Sequence, residues 1–444
     1  MQTPRPAPTP RLRPTSPMAA DPTGGTDPLG PADPEEAVRA ELDRLAGALP
    51  ALGLAVSGGS DSTALLHIAA PWAQARGVRL AVATVDHRLR PGSGDEAAAV
   101  ARACAALGVP HRVLVWDHAG RAPAGNLMAA ARAARLRLLA DWADGAELGA
   151  VALGHTMDDQ AETLVMRLGR GAGLDGLSGM AAARRQGGTL WLRPMLGVRR
   201  AALRDWLTAR GIGWSDDPSN DDPGFDRVRV RQAIAALDLP VPGLARSAAW
   251  LSEARAALAD HAATVAEGVE ADRGMLLLPP AVLAQPAETR RRLIAAGLRW
   301  VTGADYAPRG DDLSRLLAAL AAGAPATLAG VIARPRADGV ALLREPAAAA
   351  RAPAAEAGAD GSAVWDDRWR LLGLPQGARV TATPPAALAD RDWRGTGLPR
   401  VALLAAPAVE AGGRTLLPLL DPGAGVTATP LRGRADWLAI LRAH

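Results

Sequence analysis

The sequence predicts an α/β fold: a parallel sheet with helices on both faces, then a smaller helical α+β domain and a small, mainly β C-terminal domain. Three observations carry this. From about residue 34 to residue 210, apolar runs of strand length alternate with amphipathic helical runs, the alternation that builds a parallel sheet covered on both sides. A turn of small residues, Ser57-Gly58-Gly59-Ser60-Asp61-Ser62, stands between the first such strand and the helix after it. Beyond about Leu237 the alternation stops and prolines gather, which marks a boundary.

Residues 1–33 are rich in Pro, Thr and Ala, with no acid before Asp21. Such a composition buries little and predicts a disordered tail. A transit peptide is the alternative, disfavoured by the lack of an amphipathic period; Met18 is a second candidate start. Residues 34–49 read as the first helix, with Val38, Leu42, Leu45 and Leu49 three and four apart. Strand 52–56 and helix 63–70 flank the small-residue turn. There follow strand 79–85, ending at Asp86-His87, helix 94–107, strand 111–116, helix 127–142 and strand 148–153. Ligands of parallel sheets bind beyond the carboxyl ends of strands, so Ser57, Asp86 and His155 are expected to line one crevice. Residues 171–194 read as a glycine-rich crossover, 199–210 as a helix and 215–226 as a polar turn cluster. The first domain is expected to span 34–240.

In the second domain, 241–345, helices are expected at 244–269, 288–301 and 311–322. Apolar runs 327–333 and 340–344 flank Asp338-Gly339, a hairpin signal. Residues 316–333 carry no charge, the lower limit of a membrane span. Gly323, Pro325, Thr327 and Gly330 interrupt them, so no membrane segment is expected. Residues 346–361 have neither helical nor strand period and read as an Ala/Pro-rich linker. The last segment, 362–444, has short apolar runs at 369–372, 380–383 and 400–404, and is expected to be mainly β.

None of the 50 basic residues is lysine; all are arginine. Arginine suits bidentate contact with phosphate, but a net charge of +4 fits a solvated basic surface as well as RNA binding. Cys104 is the single cysteine, which excludes an intrachain disulfide and any CxxC metal or redox motif and fits a cytoplasmic protein.

Two stretches carry chemistry. In the first, Gly58 and Gly59 let the backbone approach a ligand closely, while Ser57, Ser60 and Ser62 add hydroxyls. Strand, glycine turn and helix together present N–H groups to a phosphate. Asp61 stands where a Mg²⁺ ion on polyphosphate would take an oxygen ligand. The absence of Gly-Lys-Ser/Thr excludes a Walker A loop. In the second, Gly154-His155-Thr156-Met157-Asp158-Asp159-Gln160-Ala161-Glu162-Thr163, His155, Asp159 and Glu162 fall at i, i+4 and i+7 and would share one helix face. That set fits a metal, an amine beside a base edge, or simply an acidic helix start.

The first stretch resembles the PP-loop, SGGxDS, of the Rossmann-like ATP pyrophosphatases, which split ATP to AMP and pyrophosphate. The second resembles the HxxxDxxET element of the tRNA(Ile)-lysidine synthase family. Further elements follow in that family's order: VDHRLRPGS, GNL, RLGRGAGLDGLSGM, LRPML, WSDDPSND and RVRVR, over about residues 52–234. The resemblance implies that the wobble cytidine of a CAU-anticodon tRNA(Ile) is adenylated by ATP on its C2 oxygen and that free lysine then displaces AMP, giving lysidine. It implies that Ser57, Gly58, Gly59, Ser60, Asp61 and Ser62 bind ATP, with Asp61 also toward Mg²⁺. Asp159 and Glu162 would hold the lysine ammonium. His155 would lie near the adenylated base or the phosphates, and Arg229 and Arg231 would act on phosphate of ATP or tRNA. A homodimer is compatible with the family. Departures are Met128, Ala130, Ala133 and Leu136 after the third strand, where the family is more polar, and Val228 in the basic element. Two rivals remain at this level: another PP-loop tRNA-modifying enzyme, with sulfur-inserting types disfavoured by the single cysteine, and a tRNA-binding remnant without catalysis, disfavoured by the intact motifs.

Overall fold

The computed structural model describes residues 33–88, 93–117, 127–215, 224–389 and 391–442. The expected tail falls outside them except for Asp33, whose carboxylate accepts from Glu35 N–H (3.1 Å) and caps the first helix. Most of the polar cluster 215–226 and parts of the VDHRLRPGS, GNL and WSDDPSND elements also lie outside the described residues.

The first unit runs α1 (Pro34–Ala46), β1 (Ala51–Ala55), α2 (Ser60–Arg76), β2 (Arg79–Asp86), α3 (Ser93–Ala106), β3 (His111–Val115), α4 (Leu127–Gly145) and β4 (Val151–Leu153). It continues with α5 (Met157–Leu168), the short α6 (Leu174–Leu177), β5 (Ala183–Gln186), β6 (Thr189–Leu192), α7 (Arg200–Ala209) and α8 (Asp226–Ala236). The sheet order is β3-β2-β1-β4-β6-β5. All pairs are parallel except β5 with β6. Strand β1 is buried along its whole length, and alternate side chains serve opposite faces. Leu52, Leu54 and Val56 pack with α1, α2 and α7. Ala55 joins Leu139 and Trp142 of α4 on the other face. A Cβ on Gly53 would lie 2.9 Å from the Trp142 ring, so glycine is what lets α4 sit this close.

The expected crossover at 171–194 is in part a hairpin. Gly187 and Gly188, both at positive φ, form the two-residue turn. Trp191 and Leu192 then extend the sheet beside β4, buried at 3% and 1% exposure. The glycines mark a turn between strands, not a loop that avoids them.

The second unit contains α9 (Val241–Val265), β7 (Glu270–Asp272), β8 (Met275–Leu278), α10 (Pro280–Leu283), α11 (Ala287–Thr302), α12 (Gly310–Ala321), β9 (Ala326–Leu328), β10 (Val331–Arg336) and β11 (Gly339–Arg344). Its sheet, β7-β8-β11-β10-β9, is antiparallel. The hairpin turns around Asp338-Gly339, but the run 327–333 is broken into β9 and β10 by Ala329-Gly330, both at positive φ. The uncharged stretch 316–333 is divided between α12, β9 and β10, and no helix of the described residues is long and apolar enough to cross a membrane.

The remaining elements are α13 (Pro346–Ala350), β12 (Ala355–Glu356), β13 (Ser362–Trp365), β14 (Trp369–Leu372), β15 (Arg379–Ala382), α14 (Arg400–Leu404), β16 (Pro407–Ala411), β17 (Arg414–Leu416), β18 (Thr427–Pro430) and α15 (Arg434–Arg442). The segment read as a linker thus holds a helical turn and a strand, with Ala348 and Ala349 buried. The run 400–404 is helical, preceded by Pro399 as its N-cap. The C-terminal helix α15 leaves the β unit: Trp437 and Leu441, one turn apart, pack into the second unit's core with Leu293 and Leu298 of α11. An apolar pair at i, i+4 needs a covered surface, and the second unit supplies it. Trp437 is 0% exposed. Trp437→Ala is expected to destabilise the second unit by about 3–5 kcal/mol, seen as a lower urea midpoint for the transition that exposes its tryptophans.

Candidate active site

The strand order reverses between β1 and β4, where a doubly wound sheet opens its ligand crevice. The loop after β1 is braced from within. Ser57 N–H donates to Ser62 Oγ (3.2 Å), Ser62 Oγ to the Gly59 carbonyl (3.1 Å) and Thr63 Oγ1 to the Gly58 carbonyl (3.2 Å). Ser215 N–H closes the outside on the Gly58 carbonyl (2.9 Å). Gly58 has φ +93°, a conformation open to glycine. Helix α2 has no side-chain cap, so its first-turn N–H groups are available to an anion. The loop after β4 meets this one closely. A Cβ on Gly154 would lie 3.1 Å from Ser62 N and Cα, so this glycine sets how near α5 comes to α2.

His155 precedes α5 instead of lying on it; the helix is capped by Thr156. Asp159 Oδ2 accepts from Thr156 N–H (2.8 Å) and Oγ1 (2.9 Å), so Asp159 is a helix cap as well as a member of the site. Glu162, one turn further, is 2% exposed.

The centre of the site is a residue that motif reading does not single out. Arg200, at the start of α7, donates through Nε to Asp61 Oδ2 (2.8 Å), through Nη2 to Asp159 Oδ2 (3.2 Å) and through Nη1 to Glu162 Oε1 (3.3 Å). Asp158 holds α7 in register: its Oδ2 accepts from Arg200 N–H (2.8 Å), and it pairs with Arg199. From α8, Arg231 Nε donates to Glu162 Oε1 (3.1 Å). Arg227 lies 3.2 Å from Glu162 Oε2 and 3.7 Å from Asp159 Oδ1. Arg229 is turned away, bonded to Asp226 and the Gly224 carbonyl. Helical geometry decides this: positions 227 and 231 share a face, and 229 lies about 200° around the axis. Of the residues the motifs single out, the structure therefore gathers Asp61, Asp159, Glu162 and Arg231 into one cluster and leaves Arg229 outside it.

Charge is balanced tightly. Burial raises the Asp61 carboxyl above its ordinary value, only partly offset by Arg200. Burial would also raise Asp159, but Arg200, Arg227, His155 and the Thr156 N–H together hold it below. Burial opposes the charge of Arg200, yet Asp61, Asp159 and Glu162 raise its pKa. Burial pushes His155 down to about 3, with Arg193, Arg135 and Arg227 adding to it and Asp159 opposing, so its imidazole is neutral at pH 7. Its buried Nδ1 has no hydrogen-bond partner among the described residues. A cleft of about 290 Å³ opens beside the cluster, lined by Asp158, Glu162, Arg200, Arg204 and Arg231 among others. Among the described residues no group of three His, Cys, Asp or Glu is placed to hold a metal ion. Cys104 is buried in the sheet core, its thiol raised by burial to about 11.

A family model described as a PP-loop domain matches residues 35–237. The tRNA(Ile)-lysidine synthase of Ruegeria pomeroyi is 41% identical over 88% of this chain and 94% of its own length. That of Rhizobium meliloti is 38% identical over 78% of each. This chain belongs to the tRNA(Ile)-lysidine synthase family. A solved structure, the U34-tRNA thiolase NcsA from Methanococcus maripaludis, covers 50% of this chain and 77% of its own at 16% identity, with a TM-score of 0.43; that likeness is too distant to bear on function.

Two outcomes follow from the electrostatics. His155 binds its proton in the unfolded chain near pH 6.5 but in the folded one only near pH 3. Its contribution to stability is therefore complete above pH 6.5 and lost as pH falls from there toward 3. His155→Gln should flatten this acid limb when unfolding free energies are measured across the range. Arg200→Gln leaves three carboxylates with one cation fewer, and is expected to destabilise by about 3 kcal/mol at neutral pH. That deficit should shrink at acid pH, beginning with Asp61, whose carboxyl burial already raises above its ordinary value; a pH-independent deficit would place Arg200's role elsewhere.

Proposed function

We propose that this chain ligates free lysine to C2 of the wobble cytidine in a CAU-anticodon tRNA(Ile), using ATP. The observation that carries the reading is the convergence, in a chain of this family, of a phosphate-ready helix start with two buried carboxylates across one crevice. Family membership implies ATP use and tRNA(Ile) as substrate. In the first step the cytosine C2 oxygen attacks the α-phosphorus of ATP and pyrophosphate leaves. In the second the lysine amine, having lost a proton, bonds to C2, and the C2–O bond breaks to release AMP.

We assign the N–H groups and hydroxyls of residues 57–62 to the ATP phosphates. Asp61 fits a Mg²⁺ ion in that Mg²⁺ commonly takes one or two carboxylates plus substrate phosphates, and burial favours a cation beside this carboxylate. Bound there, the ion would supply charge neutralisation for the departing pyrophosphate. Asp159 and Glu162 are assigned to the lysine ammonium, which they hold and later relieve of a proton. An entering ammonium or Mg²⁺ displaces Arg200 from at least one of its three carboxylates. Neutral His155 can exchange a hydrogen bond with the base edge without adding charge. Arg227 helps to keep Asp159 ionised and, with Arg231, pairs with Glu162, while Arg229, paired with Asp226 outside the cluster, is assigned to a tRNA phosphate. The buried, protonated Cys104 offers no thiolate for sulfur transfer. The second and third units are assigned to the body of the tRNA, and a cytoplasmic homodimer is compatible with this assignment.

With ATP, Mg²⁺, labelled lysine and total bacterial tRNA, label should enter one CAU-anticodon isoleucine tRNA; incorporation of a different amine, or of sulfur, in place of lysine would overturn the reading. Asp61→Ala should abolish pyrophosphate release. Glu162→Ala should depress lysine transfer more than adenylation, and equal loss of both would remove the assigned division of roles.

A further inference from the structure

A second cleft, of about 460 Å³, lies between the first and second units and is lined largely by arginine. Its walls come from α5, α6 and β5 on one side and α9, α11, the loop after α11 and α15 on the other. Some of its arginines are committed: Arg291 and Arg292 are held by Asp175 and Glu288. Others are not. Among the described residues Arg167 donates to the carbonyls of Gly176 (2.7 Å) and Gly179 (3.0 Å), and Arg299 to that of Ala304 (3.3 Å). The Arg184 guanidinium sits 4.9 Å over the Tyr306 ring. None of these three forms a salt bridge among the described residues. Tyr306, the only tyrosine of the chain, is 61% exposed.

The crowding is unfavourable as it stands. Burial lowers the pKa of Arg167 and of Arg299, and Arg184 lowers both further by repulsion. Burial and the charges of Arg132, Arg184 and Arg167 bring Arg193 down to about 10. Arg193 also repels a proton on His155. Geometry links them to the active site: Met195 bridges to Thr156, Arg193 two residues earlier donates through Nη1 to the Ala181 carbonyl (2.9 Å), and β5, which starts at Ala183, carries Arg184 into the cleft beside Arg167 and Arg299. Seven arginines line the cleft against two aspartates, Asp175 and Asp305, and such an excess of like charge is relieved by a bound anion. One free anion would occupy a single point, whereas this series extends from the active site into the cleft and ends beside an exposed ring. Alternating phosphates and bases match that pattern.

We propose that Arg193, Arg184, Arg167 and Arg299 form a track for the sugar–phosphate backbone of a single tRNA strand leading away from the wobble nucleotide, with Tyr306 stacking an unpaired base. The proposal rests on the reading of the chain as a tRNA-modifying ligase and adds the path of the RNA.

The test is binding of unmodified CAU-anticodon tRNA(Ile) by the full-length chain over a range of salt, with Arg184→Gln, Arg299→Gln, Arg184→Lys, Tyr306→Ala and Tyr306→Phe. Each Gln variant should lower the slope of log K against log salt by about 1. Arg184→Lys, which keeps the charge, should retain the slope and thereby separates contact from misfolding. Tyr306→Ala should weaken binding about tenfold while Tyr306→Phe does not. Inhibition by pyrophosphate is the second arm. Weaker pyrophosphate inhibition in the Gln variants, with tRNA slopes unchanged, would mean a free-anion site and overturn the proposal. Unchanged slopes in variants that still incorporate lysine would refute the track alone. Altered slopes in a protein that incorporates no lysine would support the track while refuting the ligase reading.

Discussion

Three carboxylates from two helices meet one guanidinium, and most of the catalytic unit is arranged around that meeting. Asp61 comes from α2, Asp159 and Glu162 from α5, Arg200 from α7, with Arg227 and Arg231 closing from α8. Three buried negative charges this close would neutralise by taking up protons unless cations stood among them. A buried ion network adds little net stability over a well-packed apolar one, so its value lies in geometry and exchange. It holds Asp159 ionised at the mouth of a phosphate-binding loop. It does so with a cation on a side chain, which can leave one acid when another cation arrives.

The backbone is built to permit this. Gly154 brings the start of α5 against Ser62, and the strand order that reverses between β1 and β4 places both loops on one edge. Asp159 spends one oxygen on capping its own helix. The carboxylate that would receive an amine is thus fixed by the same bonds that begin the helix, and no separate element is needed to aim it.

Much of this was legible in the chain. The β–α alternation and the two motifs depend on neighbours in sequence, and period and spacing report those directly. Arg200 was not legible: it lies 139 residues from Asp61, and one arginine among 50 basic residues carries no mark of what it will touch. Arg229 was favoured by its place in the RVRVR element, whereas helical phase selects Arg227 and Arg231; that phase could be read only once the start of α8 at Asp226 was known. The hairpin β5–β6 hid behind Gly187-Gly188, which mark a turn and a loop equally well. The C-terminal helix escaped because the surface that buries Trp437 belongs to a unit more than a hundred residues earlier.

Net charge conceals the remaining division. A value of +4 fits RNA binding and a merely solvated basic surface equally, but the acids are not spread evenly. In the active site they match the arginines almost one for one, while Arg167, Arg184 and Arg299 face the cleft on carbonyls and a ring. Field strength depends on this local imbalance, not on the sum. Helix α5 spans both regimes. Glu162 stands in the neutralised cluster, and Arg167, five residues later, stands in the uncompensated one. At 1.5 Å per residue the axial separation is about 7.5 Å, or about two nucleotides of stacked strand at about 3.4 Å each. One helix therefore carries both the acids assigned to lysine and an arginine assigned to the RNA backbone, about 7.5 Å apart along its axis.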